Sequence, residues 1–186
     1  MKFNLFSKPK DYSAAFEALV LPHVPQLHRL AYRYCGNRPD AEDLVQDLLI
    51  KLYPRTEEIG TIESLKPWLA KSLYHLYIDR IRAHNRSPIN DRQVNDTEVY
   101  EDTSSTQLSA DRHNMIRDLQ AALDQLEDKH RILIIMHDVE SYTLTELETI
   151  LDAPVGTLKS RLHRGRAKLR NILDKGTFSD ATACKG

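Results

Sequence analysis

The sequence predicts an all-α protein, two small helical domains joined by a flexible linker. Three observations predict it. Glycine and proline are sparse, at 6 and 8 of 186 residues, which disfavours a turn-rich β fold. Apolar residues recur at helical spacing in both halves of the chain. Between them the period is lost in a stretch rich in Asp, Glu, Ser, Thr, Asn and Gln. The division that follows is a first domain over 11–87, an acidic linker over 88–111 and a second domain over 112–175.

Bulk properties narrow the function. At 41% apolar and 28% charged residues, the chain has the composition of a soluble globular protein. Its net charge of −1 excludes a nonspecific polycation. The charge is segregated, however. Lys159, Arg161, Arg164, Arg166, Lys168 and Arg170 cluster without an acid among them, whereas Asp91, Asp96, Glu98, Glu101 and Asp102 gather in the linker. Such segregation points to a local anion-binding surface and a separate acidic segment. Cys35 and Cys184 are the only cysteines, too far apart for a disulfide framework, so a reduced, cytoplasmic setting is expected. Met1 to Lys10 lacks the apolar run of a signal peptide, and no stretch has transmembrane length.

The elements follow in order. Pro22 and Pro25 interrupt the first pattern, after which Leu27, Leu30, Ala31 and Tyr34 share a helical face. Gly36-Asn37 ends that helix, since both residues tolerate left-handed backbone. Asp40 is the expected N-cap of the next helix, with Asp43 at the capping-box distance. Leu44, Val45, Leu48, Leu49 and Leu52 form its apolar side, and Pro54 stops it. A polar loop is expected from Arg55 to Glu63. Pro67 then suits the first turn of a long helix reaching Arg82, with Leu69, Leu73, Leu76, Tyr77 and Ile81 facing inward. The second domain starts near Arg112. Ile116, Leu119, Ala122, Leu123 and Leu126 mark one helix, and Ile132 to Val139 a second, apolar almost all round. Thr143 to Leu151 make a third and Val155 to Leu173 a fourth, with a frayed tail from Lys175.

The last two helices carry the most specific chemistry. A short helix, a break at Asp152-Ala153-Pro154 and a longer basic helix form a helix-turn-helix plan. In the final helix Val155, Leu158, Leu162, Leu169, Ile172 and Leu173 share one face. The opposite face centres on Ser160, His163, Arg164 and Ala167. Lys159, Arg166 and Arg170 flank it on one side, Arg161 and Lys168 on the other. A helix lying in a major groove needs this arrangement, with central side chains at base edges and flanking cations at phosphates. The bland alternative is a solvated basic surface, but a turn, an apolar seam and a two-sided basic face coincide here.

Pro154-Val155-Gly156-Thr157-Leu158-Lys159-Ser160-Arg161-Leu162-His163-Arg164-Gly165-Arg166-Ala167-Lys168-Leu169 resembles the end of region 4 of bacterial extracytoplasmic-function (ECF) sigma factors. There the helix reads the −35 promoter element. The resemblance implies that Ser160, Arg161, His163 and Arg164 lie near bases, with Lys159 and Arg166 near phosphates. Asp40-Ala41-Glu42-Asp43-Leu44-Val45-Gln46-Asp47 is similar to region 2.2 of the same family, which docks on RNA polymerase. Asp43, Gln46 and Asp47 fall on one face at i, i+3 and i+4, with Glu42 beside them, and a carboxylate face suits a basic partner. The helix from Pro67 to Arg82 is similar to region 2.4, which reads the −10 element. Trp68, Lys71, His75 and Arg82 share a stripe, with Tyr74 adjacent. Cations follow a single strand's backbone while rings accept unstacked bases. The chain departs from the family's usual residues at Tyr74-His75 (often Arg-Asn), Glu148 (usually Ala) and Asp152 (often Gly).

The resemblance implies a sigma factor that directs core RNA polymerase to promoters and assists melting. The implied partners are core RNA polymerase, promoter DNA as duplex and melted strand, and an anti-sigma factor. The acidic linker would thread toward the polymerase channels. No catalytic centre is read. The eight His show no zinc-ligand spacing and no Gly-rich phosphate loop occurs, so no metal, cofactor or small-molecule substrate is expected. Two rival classes stand beside this reading. One is a helix-turn-helix regulator acting without polymerase, which leaves the Asp40 to Asp47 face unused. The other is a helical adaptor that binds no DNA.

Overall fold

Proline and short polar side chains set the helix starts in the first half. Pro25 occupies the first turn of one helix and Pro39 that of the next, where a missing N–H costs nothing. The cap of the second is Asn37, whose side chain accepts from the Asp40 amide at 2.9 Å, so Asp40 lies inside the first turn rather than at the cap. Asn37 wins because Gly36 ahead of it takes φ 77°, which ends the preceding helix and turns the chain.

The computed structural model describes residues 13–86 and 110–183. The helices are α1 (Ser13–Val20), α2 (Val24–Cys35), α3 (Arg38–Leu52), α4 (Thr56–Ile59), α5 (Leu65–Arg86), α6 (Ala110–Asp124), α7 (Asp128–Ile134), α8 (Leu144–Leu151) and α9 (Val155–Ala183). Short 3-10 turns precede α2 and α4, and a π-type turn, Ile135–Val139, follows α7. Among the described residues there is no strand, and no helix is long and apolar enough to cross a membrane. The protein is all-α, with two helical domains.

Several boundaries differ from expectation for physical reasons. The segment after Arg55 is not merely a polar loop: α4 forms there because Thr56 and Ile59 are buried, the Thr56 hydroxyl donating to the Tyr53 carbonyl at 2.6 Å. α5 runs one turn past Arg82, and α6 begins at Ala110, two residues before the expected start. α9 continues to Ala183 instead of fraying at Lys175. The expected linker, up to residue 109, lies outside the described residues.

The two domains do not keep separate cores. Leu27, Leu30, Leu44, Leu48, Leu69 and Leu73 from the first half and Leu133, Ile135, Leu147, Ile150, Leu158 and Leu162 from the second belong to one buried cluster. α5 packs directly on α8. In the second domain Thr143 caps α8 in a full capping box with Glu146, an arrangement worth about 1 kcal/mol. α9 lies on α7 with Gly165 between them. A Cβ there would stand 3.1 Å from Ile134 Cδ1 and 3.2 Å from His130 Cβ, so glycine sets the closeness of that crossing.

Candidate nucleic-acid interface and acidic docking face

The helix-turn-helix is built as its sequence suggests. α8 ends on Asp152, which adopts the left-handed conformation with φ 48° and ψ 47°. Aspartate tolerates that region better than most residues, so it stands where glycine would be usual. Glu148 finds a role in the same turn. Its carboxylate reaches across to accept from the Val155 amide at 3.2 Å, capping the first turn of α9. Pro154, which precedes Val155, has no side chain able to do this.

On α9, Lys159, Ser160, His163, Arg164, Ala167 and Arg170 are exposed. The Ser160 hydroxyl donates to the Thr157 carbonyl at 2.9 Å, and Arg164 Nε donates to the Ser160 carbonyl at 3.3 Å. Lys159, His163, Arg166 and Arg170 border a groove of about 340 Å³ whose other walls are His137, Leu144, Leu162 and Ala167. Three basic residues are less available than expected. Arg166 holds Asp138 with two hydrogen bonds, and Asp138 pushes its pKa further up. Lys168 pairs with Glu127, which Lys129 and Lys168 together hold down to about 2. Arg161 is half-buried, and its carbonyl meets His130 Nδ1 at 3.2 Å. Burial lowers the His130 pKa, with that carbonyl opposing the shift. Arg166 and Lys168 flank the apolar seam, so they meet Asp138 in the turn after α7 and Glu127 just before it.

On α5 the stripe is present but partly engaged within the chain. Trp68 is half-buried, with the Arg55 guanidinium 5.7 Å from its ring centroid. Lys71 Nζ lies 2.7 Å from Asp152 Oδ1, and His75 Nε2 lies 3.3 Å from Asp152 Oδ2. The hydrogen bond from Lys71 holds the Asp152 carboxyl below its ordinary pKa. Tyr74 is half-buried; burial raises its pKa while Arg82 and Arg161 pull the other way. Arg82 is exposed, with Asp79 at 3.8 Å.

The carboxylate face of α3 points away from the core. Glu42 pairs with Arg38 at 2.7 Å, which lowers its pKa, and Asp47 accepts from Arg80. Asp43 and Gln46 are exposed, and Asp43 makes no ion pair among the described residues. Ile50, 63% exposed, stands four residues after Gln46 and seven after Asp43, on the same face. Sequence reasoning passed over it, although its spacing from Leu48 and Leu52 already puts it off the apolar side. No group of His, Cys, Asp and Glu suited to a metal occurs among the described residues.

Residues 19–87 match the profile of Sigma-70 region 2, and residues 116–169 that of Sigma-70, region 4. The ECF RNA polymerase sigma factor SigE of Mycolicibacterium smegmatis is 34% identical over 95% of this chain and 69% of its own. SigW of Bacillus subtilis, also an ECF RNA polymerase sigma factor, is 32% identical over 86% of this chain and 89% of its own. Among solved structures, the sigma factor RpoE with the anti-sigma factor NepR, from Bartonella quintana, aligns with a TM-score of 0.68. That alignment covers 86% of this chain and 96% of the other at 24% identity, so it speaks to fold. CnrH in complex with the cytosolic domain of CnrY gives a TM-score of 0.62 at 21% identity, covering 87% of this chain and 89% of the other.

Proposed function

The chain belongs to the ECF sigma factors, non-enzymatic initiation factors that direct RNA polymerase to promoters, and from that premise we propose a division of labour among its faces. Residues 11–87 bind core polymerase and the −10 element, 88–111 connect, and 112–175 bind the −35 element. Glu42, Asp43, Gln46 and Asp47 take the polymerase. Ser160, Arg161, His163 and Arg164 face bases in duplex DNA, with Lys159 and Arg166 at phosphates. Trp68, Lys71, Tyr74, His75 and Arg82 take the melted strand.

One observation carries this assignment: Asp43, which meets no cation among the described residues, shares an outward face with Gln46 and Ile50, while the exposed cations of α9 lie on a different helix of the other domain. A basic protein partner and a polyanion are thereby directed to separate surfaces. The protein works in the cytoplasm, where polymerase is. The two solved neighbours are bound to NepR and CnrY, and an anti-sigma partner is carried over from that likeness.

The test is run-off transcription with purified core polymerase on a fragment library, with start sites sequenced. The expected outcome is initiation at a defined promoter set that depends on this protein. Association with core polymerase that directs no initiation would refute the assignment of the DNA faces.

A further inference from the structure

α5 presents two opposite faces. Lys71, His75 and Arg82 recur at spacings of four and seven on one of them, the stripe assigned to the melted strand. Leu73, Tyr77 and Arg80, at spacings of four and three, lie about half a revolution away. Leu73 and Tyr77 are buried, and the Tyr77 hydroxyl donates to the Tyr34 carbonyl at 2.9 Å. Arg80 continues that line where the core gives out. Its Nη2 donates to Asp47 Oδ2 and its Nη1 to the Asp40 carbonyl at 3.4 Å, so one guanidinium spans two turns of α3. Asp47 is half-exposed, and its other oxygen, Oδ1, accepts no hydrogen bond among the described residues.

We propose that Arg80 is a positioning residue for promoter melting: gripping α3 through Asp47 and Asp40, it fixes how far α5 is turned, and so the angle at which the strand stripe faces DNA once α3 is docked on polymerase. The inference rests on the assignment of α3 to polymerase and of α5 to the strand. Apolar contacts between the two helices are non-directional and set their separation more than their rotation. A guanidinium hydrogen-bonded at two points, by contrast, fixes an angle, because its donors stand in a rigid fork. Arg80 points away from the stripe, so its effect on the strand passes through the body of α5. The side chains of Arg80 and Asp47 are 36% and 50% exposed, so their pairing contributes little to stability and its value is geometric. Asp47 Oδ1 remains open to a polymerase cation, which joins the docking contact and the setting of α5 through one carboxylate.

The experiment measures initiation by the full chain at saturating core polymerase on two templates. One is a duplex promoter recovered from the fragment library, and the other carries the same promoter with a mismatched, pre-melted −10 segment. Arg80→Met keeps the apolar stem and removes the fork. It should lower initiation on the duplex roughly tenfold, since a small misplacement of binding groups is costly when the strand must be captured as it opens. On the pre-melted template the loss should shrink to about twofold, with affinity for core polymerase and the unfolding midpoint close to wild type. Arg80→Lys, which retains one of the two contacts, should recover part of the duplex activity. Adding Asp47→Asn to Arg80→Met should lower duplex initiation little further, because both remove the same contact. Unchanged duplex initiation in Arg80→Met overturns the proposal. So does an equal loss on both templates, which would make Arg80 a strand contact, and so does a loss of core affinity as large as the loss of initiation, which would confine Arg80 to docking. A wild-type chain that initiates on neither template removes instead the assignments on which the proposal stands.

Discussion

On α3, Asp43, Gln46 and Ile50 point into solvent, and Asp43 has no counter-charge among the described residues. On α5 and α9, Lys71, His75, Arg166 and Lys168 each already meet a carboxylate of the same chain. The α3 face proposed for docking is open to a protein partner, whereas much of the cationic surface proposed for DNA would have to give up an internal acid to take a phosphate. The difference is useful to an initiation factor. Internal acids weaken nonspecific attraction to DNA, which scales with uncompensated cations. They cost little once a true site offers several phosphates at once.

The most deeply engaged cation should give the largest effect. Arg131 is 11% exposed at its side chain and links Asp124 and Asp128 of its own domain to Tyr34 and Tyr77 of the other. Burial opposes its charge, but Tyr77, Asp128 and Asp124 hold its pKa above the ordinary value. Arg131→Ala should cost about 3 kcal/mol, the low end for breaking a buried pair, because the two aspartates are half-exposed. Urea unfolding of the full chain checks this. Tyr77→Phe should cost about 2 kcal/mol, since it removes two buried hydrogen bonds, one accepted from Arg131 and one donated to the Tyr34 carbonyl. If both variants fall within a few tenths of wild type, the seam is not a stabilising one.

On the open face, the expected loss is of binding, not of stability. Asp43→Lys or Ile50→Lys should weaken association with core polymerase about tenfold to a hundredfold, or about 1.4–2.8 kcal/mol, with the unfolding midpoint unchanged. Ile50 sharpens the comparison. An exposed isoleucine one turn beyond Gln46 and two beyond Asp43 marks an apolar anchor beside a polar, acidic patch. If Ile50→Lys binds normally, the face is purely electrostatic and its affinity should fall steeply with salt.

Two of the arginines of α9 test the other side. Arg164 is exposed and pairs with no acid among the described residues, so Arg164→Ala should cost about 1–3 kcal/mol at one promoter position if it reads a base. Arg166 is tied to Asp138, so Asp138→Asn should strengthen duplex binding on all sequences and steepen the salt slope by about one unit. Binding titrations over a range of salt separate the two. Glu148→Ala should have a smaller effect, about 0.5–1 kcal/mol in stability and a matching loss of duplex affinity, because only the first turn of α9 loses its cap.

How much of this was legible in the sequence depended on the range of the interaction. Contacts within one or two turns could be read. The apolar faces of α2, α3, α5 and α9 and the Gly36 stop follow from spacing and local chemistry, whereas the cap of α3 fell to Asn37 rather than Asp40. Gly165 shows a missed local signal: it falls among Leu158, Leu162 and Leu169 on the buried face, where a small residue marks a close helix crossing. Asp152–Lys71 and Arg131–Tyr77 were not legible. They join residues far apart in sequence, through a packing of α5 on α8 that no local rule specifies. The same holds for Asp138, whose effect is to occupy an arginine that spacing alone assigned to phosphate.

The smallest expected effect is a pH dependence that separates the two domains. Burial lowers the pKa of His130, a residue of α7 that packs against α9, below its ordinary 6.5. The unfolded chain therefore takes up a proton more readily than the folded one as pH falls. The resulting stability is fully present above about 6.5 and is lost as pH drops toward the folded value. His28 shifts in the same direction, also chiefly by burial, so the first domain contributes a parallel term. Thermal unfolding at about pH 7.5 and about pH 5.5 should show a lower midpoint in acid, and His130→Gln should shrink that difference without removing it. An undiminished difference would assign the acid sensitivity to His28 and the first domain, and would leave the α7–α9 crossing indifferent to protons.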